Sequence, residues 1–285
     1  MSADRPRILW VRDVAMIIAV LAFACMLGAM WLNHVAGPSG PSRKSSCLSN
    51  QRQVSMAVLT HVTTRGKGSF PGFRKELNGD TISWTASLLS ELGRGDLHDH
   101  LVRQGEVAPL PISILVCPAD RDKSSSEAPL SYVINAGSAQ DDGTVLANGV
   151  AVDGLKTEER VSLSYVAQND GTAYTLLLAE NLQATRWDQP SRIGTTFLWH
   201  NTMTPREEHL INGGDTSLPV TLDTARPSSN HPGGAVFTFC DGHTKFIGQD
   251  IEYRVYAQLM SPNDRASDMP DAWKDQPLGE DDFLR

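Results

Sequence analysis

Asn230-His231-Pro232-Gly233-Gly234-Ala235-Val236-Phe237-Thr238-Phe239-Cys240-Asp241-Gly242-His243-Thr244-Lys245-Phe246-Ile247 reads as a break, a strand, a tight turn and a second strand. Pro232, Gly233 and Gly234 stop whatever precedes them. Val236, Phe237 and Phe239 favour an extended chain, and Asp241-Gly242 is a strong hairpin signal. A type I′ turn is expected there, because Asp and Gly both tolerate positive φ. His231 and Asp241 then stand at opposite ends of one strand, about 30 Å apart at ~3.3 Å per residue. That separation argues against the two forming one catalytic pair.

Outward from this hairpin, the second half of the chain reads mainly as strands. Expected strands are Ile112–Val116, Ser131–Asn135, Val161–Val166, Tyr174–Ala179, Thr195–Trp199, Ala235–Cys240 and His243–Ile247. Val161, Leu163 and Tyr165 alternate with polar residues, as a half-buried antiparallel strand should. Helices are expected at Arg43–Thr63, over Trp84–Leu101 with a split at Gly93-Arg94-Gly95, and at Tyr253–Met260. In the first of these, Cys47, Val54, Val58 and His61 or Val62 share one face. The expected class is α+β, with an N-terminal transmembrane helix and then a helix packed on a mainly antiparallel sheet with long loops.

Residues 14–32 carry no charge. As a helix they would rise roughly 28 Å at ~1.5 Å per residue, close to the ~30 Å apolar core of a bilayer. Trp10 and Trp31 bracket the stretch, and Arg5, Arg7 and Arg12 precede it. The positive-inside rule then places the N-terminus in the cytoplasm and residues 33–285 outside. A cleaved signal peptide and a buried helix are the alternatives. The expected division is a cytoplasmic segment 1–13, a membrane helix 14–32, a Gly/Pro/Ser linker 33–46, a domain 47–260 and a tail 261–285. From Ser261 the tail holds seven acidic and three basic residues, half of the chain's net charge of −8, and is expected to be disordered. The acidic balance argues against a nucleic-acid partner, which would want a basic surface.

Several segments together carry a resemblance. Cys47-Leu48-Ser49-Asn50-Gln51-Arg52-Gln53, Gly68-Ser69-Phe70-Pro71, Trp84 to Leu92, Cys117-Pro118-Ala119-Asp120, Ser131-Tyr132-Val133 and Leu176-Leu177-Leu178-Ala179-Glu180 occur in this order ahead of the His-x9-Asp-Gly block. The chain resembles a large bacterial family of pilin-like proteins of unknown function over roughly residues 14–262. The resemblance implies a disulfide between Cys47 and Cys117, tying the first helix to the sheet. Closing a loop of about 70 residues is worth roughly 4 kcal/mol in the chain-entropy model. The alternative for this pair is two buried free thiols. The chain departs from pilin pattern in two places. No Gly-Phe leader with a Glu precedes the apolar run, and Gly37-Pro38-Ser39-Gly40-Pro41-Ser42 interrupts the expected continuous helix.

The polar residues worth attention are Glu180, His200, Asn230, His231, Asp241 and His243. Glu180 closes an apolar strand and is the expected partner of His231, through a structural hydrogen bond or a shared cation. Gly233, Gly234 and Gly242 are read with His231 and Asp241 as structural parts of the motif. No Gly-x-Ser-x-Gly elbow, phosphate-binding glycine loop, His-Glu-x-x-His or Cys-x-x-Cys occurs. No catalytic residue, metal or cofactor is therefore assigned. The expected function is a non-enzymatic, membrane-anchored pilin- or pseudopilin-like protein of the bacterial inner membrane. Its expected partners are the membrane, copies of itself or other pilin-like secretion components. Two alternatives remain open. One is a module that binds a polysaccharide or protein through Trp187 and Trp199. The other is a metal-dependent hydrolase around Glu180, His200 and His231.

Overall fold

The computed structural model describes residues 14–27, 40–105, 108–120, 123, 126–279 and 282. The chain divides into two compact units, residues 1–42 and 43–285. In the first, a helix α1 covers 14–27 and exposes its side chains. At ~1.5 Å per residue it is about 21 Å long, short of the ~30 Å a bilayer core requires. Among the described residues no helix is long and apolar enough to cross a membrane. The expected membrane helix over 14–32 is thus corrected to a shorter one, and residues 28–32 lie outside the described part.

Helix α2, Gly40–Thr64, is the long helix of the fold. No Gly or Pro interrupts it after Pro41, and residues 40–46, read as linker, are helical. Its buried side chains are Cys47, Gln51, Val54, Ser55, Ala57, Val58, His61 and Val62, a stripe repeating every three to four residues. Gln51 docks that stripe on the sheet: its Nε2 donates to the Val236 carbonyl at 3.1 Å, and its Oε1 accepts from Thr238 Oγ1 at 2.9 Å.

The main sheet has five strands in the order β5-β3-β4-β6-β7. They are β3 Tyr132–Ser138, β4 Leu176–Glu180, β5 Thr196–Trp199, β6 Gly234–Phe239 and β7 Thr244–Gly248. The sheet is mixed: three of its four pairings are antiparallel, as expected, and one is parallel. After β4 the chain crosses over to the far side of β3, so β5 lies parallel to it. β3, β4, β5 and β6 are buried along their whole length, which accounts for their continuous apolar runs. Trp84, Trp187 and Trp199 are fully buried. Each indole N–H donates to a carbonyl at 2.9 Å, of Thr195, Leu110 and Asn148 respectively. Burial of 150–250 Å² per aromatic ring is worth roughly 4–6 kcal/mol.

Two expected strands are something else. Ser113–Leu115 is a 3-10 turn, bracketed by Pro111 and Pro118, which cannot donate to a ladder. Leu163–Gln168 is a short helix, α4, because the Ser162 hydroxyl accepts the Tyr165 N–H at 3.0 Å and caps it. The expected helix over Trp84–Leu101 resolves into a 3-10 turn, Ala86–Leu88, and helix α3, Gly95–Gln104. Helix α5, Tyr253–Met260, has its expected bounds. Beyond it, the stretch read as disordered carries a 3-10 turn, Asp264–Ala266, and helix α6, Asp271–Lys274. Trp273 holds this stretch down, buried and edge-on to Tyr253 at 6.2 Å.

The hairpins exchange expectations. Asp241 does not have positive φ, so its turn is not type I′. The loop has three residues: the Gly242 N–H bonds to Phe239 O at 2.9 Å, Gly242 sits at φ 88°, and Phe239 N–H bonds to His243 O at 3.0 Å. That is a turn followed by a left-handed bulge residue. Gly242 also lies against α2, where an added Cβ would come 3.0 Å from Leu59 Cδ1. The type I′ turn is instead Asn78-Gly79, at φ 55° and 92°, joining β1 Arg74–Leu77 to β2 Asp80–Ser83.

Candidate functional site

Four buried side chains from four segments meet between α2 and the sheet. Cys47 comes from the second turn of α2. Cys117 comes from the turn that follows the 3-10 segment, where Asp120 N–H bonds to Cys117 O at 2.9 Å. Glu180 ends β4, opposite Tyr132 of β3. His231 precedes the Pro-Gly-Gly break that opens β6. One coordinating atom from each lies within 4.8 Å of the others.

The bonding is dense. Cys47 Sγ donates to Glu180 Oε1 at 2.6 Å and lies 3.2 Å from the Tyr132 hydroxyl. His231 Nε2 is 3.3 Å from the same Glu180 Oε1 and 3.4 Å from Cys117 Sγ. The other carboxylate oxygen, Oε2, accepts the Val236 N–H at 2.7 Å. The space beside Cys117 and Glu180 is too small for a water molecule.

Electrostatics follow from this packing. His231 is raised to about 9, first by its bond to Cys117 and then by Glu180. Burial pushes Glu180 up, but the bonds from His231, Cys47 and the Val236 amide outweigh it, and the carboxyl ends below its ordinary value. Burial pushes the Cys47 thiol up, with Cys117 and the Glu180 charge adding to it. The bond from Cys47 lowers Cys117, and His231 helps against the opposing burial. One cation is thus surrounded by one carboxylate and two sulfurs. Cys47 and Cys117 are free thiols.

The structure joins His231 to Glu180 as expected and brings both cysteines to them. Gly233, at φ 83°, makes the turn after His231. Gly234 leaves no room for a side chain, since a Cβ would come 2.1 Å from Ile247 O on β7. Asp241 stays in the hairpin turn and takes a 2.7 Å bond from His243 Nδ1. Asn230 bonds to the Ala119 carbonyl at 3.1 Å, which ties the His231 loop to the Cys117 turn.

His200 does not join Glu180 and His231. It stacks on His209 with ring centres 3.8 Å apart, and Asp223 completes a second group of three within 4.8 Å. Arg206 stands over this group, 3.2 Å from His209 Nε2 and 3.1 Å from Asp223 Oδ2. Burial, then His209, lowers His200 to about 4. Trp187 and Trp199, offered as groove-lining aromatics, are core residues. Asp141, of Asp141-Asp142-Gly143, is occupied by Arg192 at 2.8 Å and by the Gly143 amide at 2.6 Å.

Four residues escaped the sequence reading. Tyr132 was legible only as a strand residue. Gln51 sits one helical turn after Cys47, and that i, i+4 spacing was the available signal. Asp170 and Asp264 line a polar cleft of about 740 Å³ with Asn263, Arg265 and Lys274. Burial, then the neighbouring Asp170 charge, raises Asp264 to about 7.

Residues 41–254 match the family described as "Protein of unknown function (DUF1559)". The chain belongs to this family. Neither the curated proteins nor the solved structures contain a match. The DUF1559 match takes in all four clustered residues, Cys47, Cys117, Glu180 and His231, along with α2 and the five strands. It stops at the start of α5, so the Asp264 side of the cleft lies outside it.

Proposed function

We propose that this DUF1559 chain is a non-catalytic, pilin-like structural protein of the bacterial envelope, built to assemble with copies of itself or with related subunits. The observation that carries this reading is the placement of its reactive side chains. Thiols, imidazole and carboxylate are sealed between a long helix and a sheet, where no substrate reaches them. They fasten α2 to β4 and β6 rather than line a cleft. A long N-terminal helix on a sheet of this kind is also what the pilin resemblance implies. The test is native mass spectrometry of the protein released from its own cells. A fixed multiple of the chain, or a fixed ratio to a second subunit, is the expected result. A lone monomer that turns over ester, peptide or glycoside substrates would overturn the reading.

A second reading draws on the polar cleft at Asp170 and Asp264. Its carboxylates, amide side chains and two cations suit a polyhydroxylated ligand such as a glycan. Binding that is lost in Asp264→Asn, with assembly intact, would favour this module over the structural reading.

A further inference from the structure

We propose that Cys47, Cys117, Glu180 and His231 form a four-coordinate site for a zinc-class divalent cation, which locks helix α2 to the sheet. The donor set is two sulfurs, one imidazole nitrogen and one carboxylate oxygen, the mixture that zinc takes in tetrahedral sites. The spacing agrees. Zinc–ligand bonds of about 2.0–2.3 Å give tetrahedral edges of roughly 3.3–3.8 Å. The His231–Glu180 edge is 3.3 Å and the His231–Cys117 edge 3.4 Å. The Cys47–Glu180 edge, at 2.6 Å, must open by about 1 Å.

The surroundings are those of a metal site as well. Glu180 presents Oε1 to the cluster while the Val236 amide holds Oε2, so the carboxylate is oriented from behind. The Tyr132 hydroxyl, 3.2 Å from Cys47 Sγ, supplies a bond to a thiolate. None of the described bonds to the four side chains comes from Lys or Arg. A disulfide would use both cysteines, yet it gives no reason for His231 Nε2 and Glu180 Oε1 to point at the same place. On coordination both thiols and the imidazolium release their protons to solvent. The divalent ion then faces two thiolates and one carboxylate, a net of −1. The inference is independent of whether the chain assembles.

The experiment is metal analysis of the full chain, purified from its own cells without chelator, followed by cobalt(II) titration of the stripped protein. One zinc-class ion per chain is expected, with tetrahedral cobalt absorption and a thiolate-to-cobalt charge-transfer band. Cys117→Ser and Glu180→Gln should each weaken cobalt binding by about 100-fold, and Tyr132→Phe by about tenfold, the scale of an outer-shell change. Tyr132→Phe keeps all four ligands, so it reads the site even if a ligand variant fails to fold. Two outcomes overturn the proposal. One is a Cys47–Cys117 disulfide in the native protein. The other is a fully reduced wild-type chain that holds no ion and gives no cobalt spectrum.

Discussion

The two histidine clusters have similar burial and opposite character. His231 and His200 are both nearly sealed, 3% and 2% exposed. Burial alone disfavours a charged imidazole in each case. At His231 the neighbours are a sulfur at 3.4 Å and a carboxylate oxygen at 3.3 Å, and the group is raised to about 9. At His200 the nearest ring is another imidazole with Arg206 beyond it, and the group is lowered to about 4. The first site gathers anions around one place; the second already carries a guanidinium where a cation would go. Local charge, and not depth, decides which cluster attracts a positive ion.

The largest expected effect breaks the first cluster. Glu180→Ala strips His231 of its anion and leaves the Val236 amide without an acceptor. Removing one partner of a buried charged pair costs about 3–5 kcal/mol. Urea denaturation should show that loss as a lower midpoint with an unchanged slope, and a loss under about 1 kcal/mol would mean the pair is not ionised.

Acid should sharpen the second cluster. The folded pKa of His200 lies below its unfolded value of about 6.5, so below that pH the unfolded chain binds the extra proton. His200 therefore destabilises the fold as pH falls from about 6.5 towards 4. The shift to about 4 corresponds to roughly 3 kcal/mol at the bottom of that window. Denaturation at a series of pH values should show the slope, and His200→Phe should flatten it. Asp264 works in the opposite sense. Its folded pKa is raised to about 7, so its carboxyl weakens the fold as pH rises from its unfolded value of about 4.

Smaller changes test single contacts. Tyr132→Phe removes the hydroxyl beside Cys47 and should cost on the order of 1 kcal/mol, read in the same urea experiment. Arg206→Ala should change stability by less than about 0.5 kcal/mol, as its partner Asp223 is exposed. Its real signature is elsewhere: the His209 titration followed by NMR should move upward once the guanidinium is gone. A downward movement would show that Arg206 does not set the charge of that cluster.

Much of this molecule was legible in the chain itself. Helix α2 announces itself by the spacing of Cys47, Val54, Val58 and Val62, and β4 and β6 by apolar runs closed by Glu180 and by Asp241-Gly242. The α+β class and the His231–Glu180 partnership follow from those signals. Some misreadings were local. Ser162 turned an alternating stretch into a capped helix, and Asn78-Gly79 made the type I′ hairpin that had been expected at Asp241-Gly242. Others concerned distance along the chain. The family resemblance alone linked Cys47 to Cys117, and nothing near residue 47 says that its thiol will also meet residues 180 and 231, because no local period links segments that far apart.

The sequence by itself determined which residues favour helix, strand or turn and which faces are apolar, since those preferences act over a few neighbours. Only the tertiary structure decided that β5 runs parallel to β3 and that two cysteines, a glutamate and a histidine share one dry pocket. It also decided that the surroundings of His200 oppose a positive charge while those of His231 favour one. Those outcomes depend on which distant groups arrive within about 4 Å with water excluded, the range over which charge and hydrogen bonding set a side chain's chemistry.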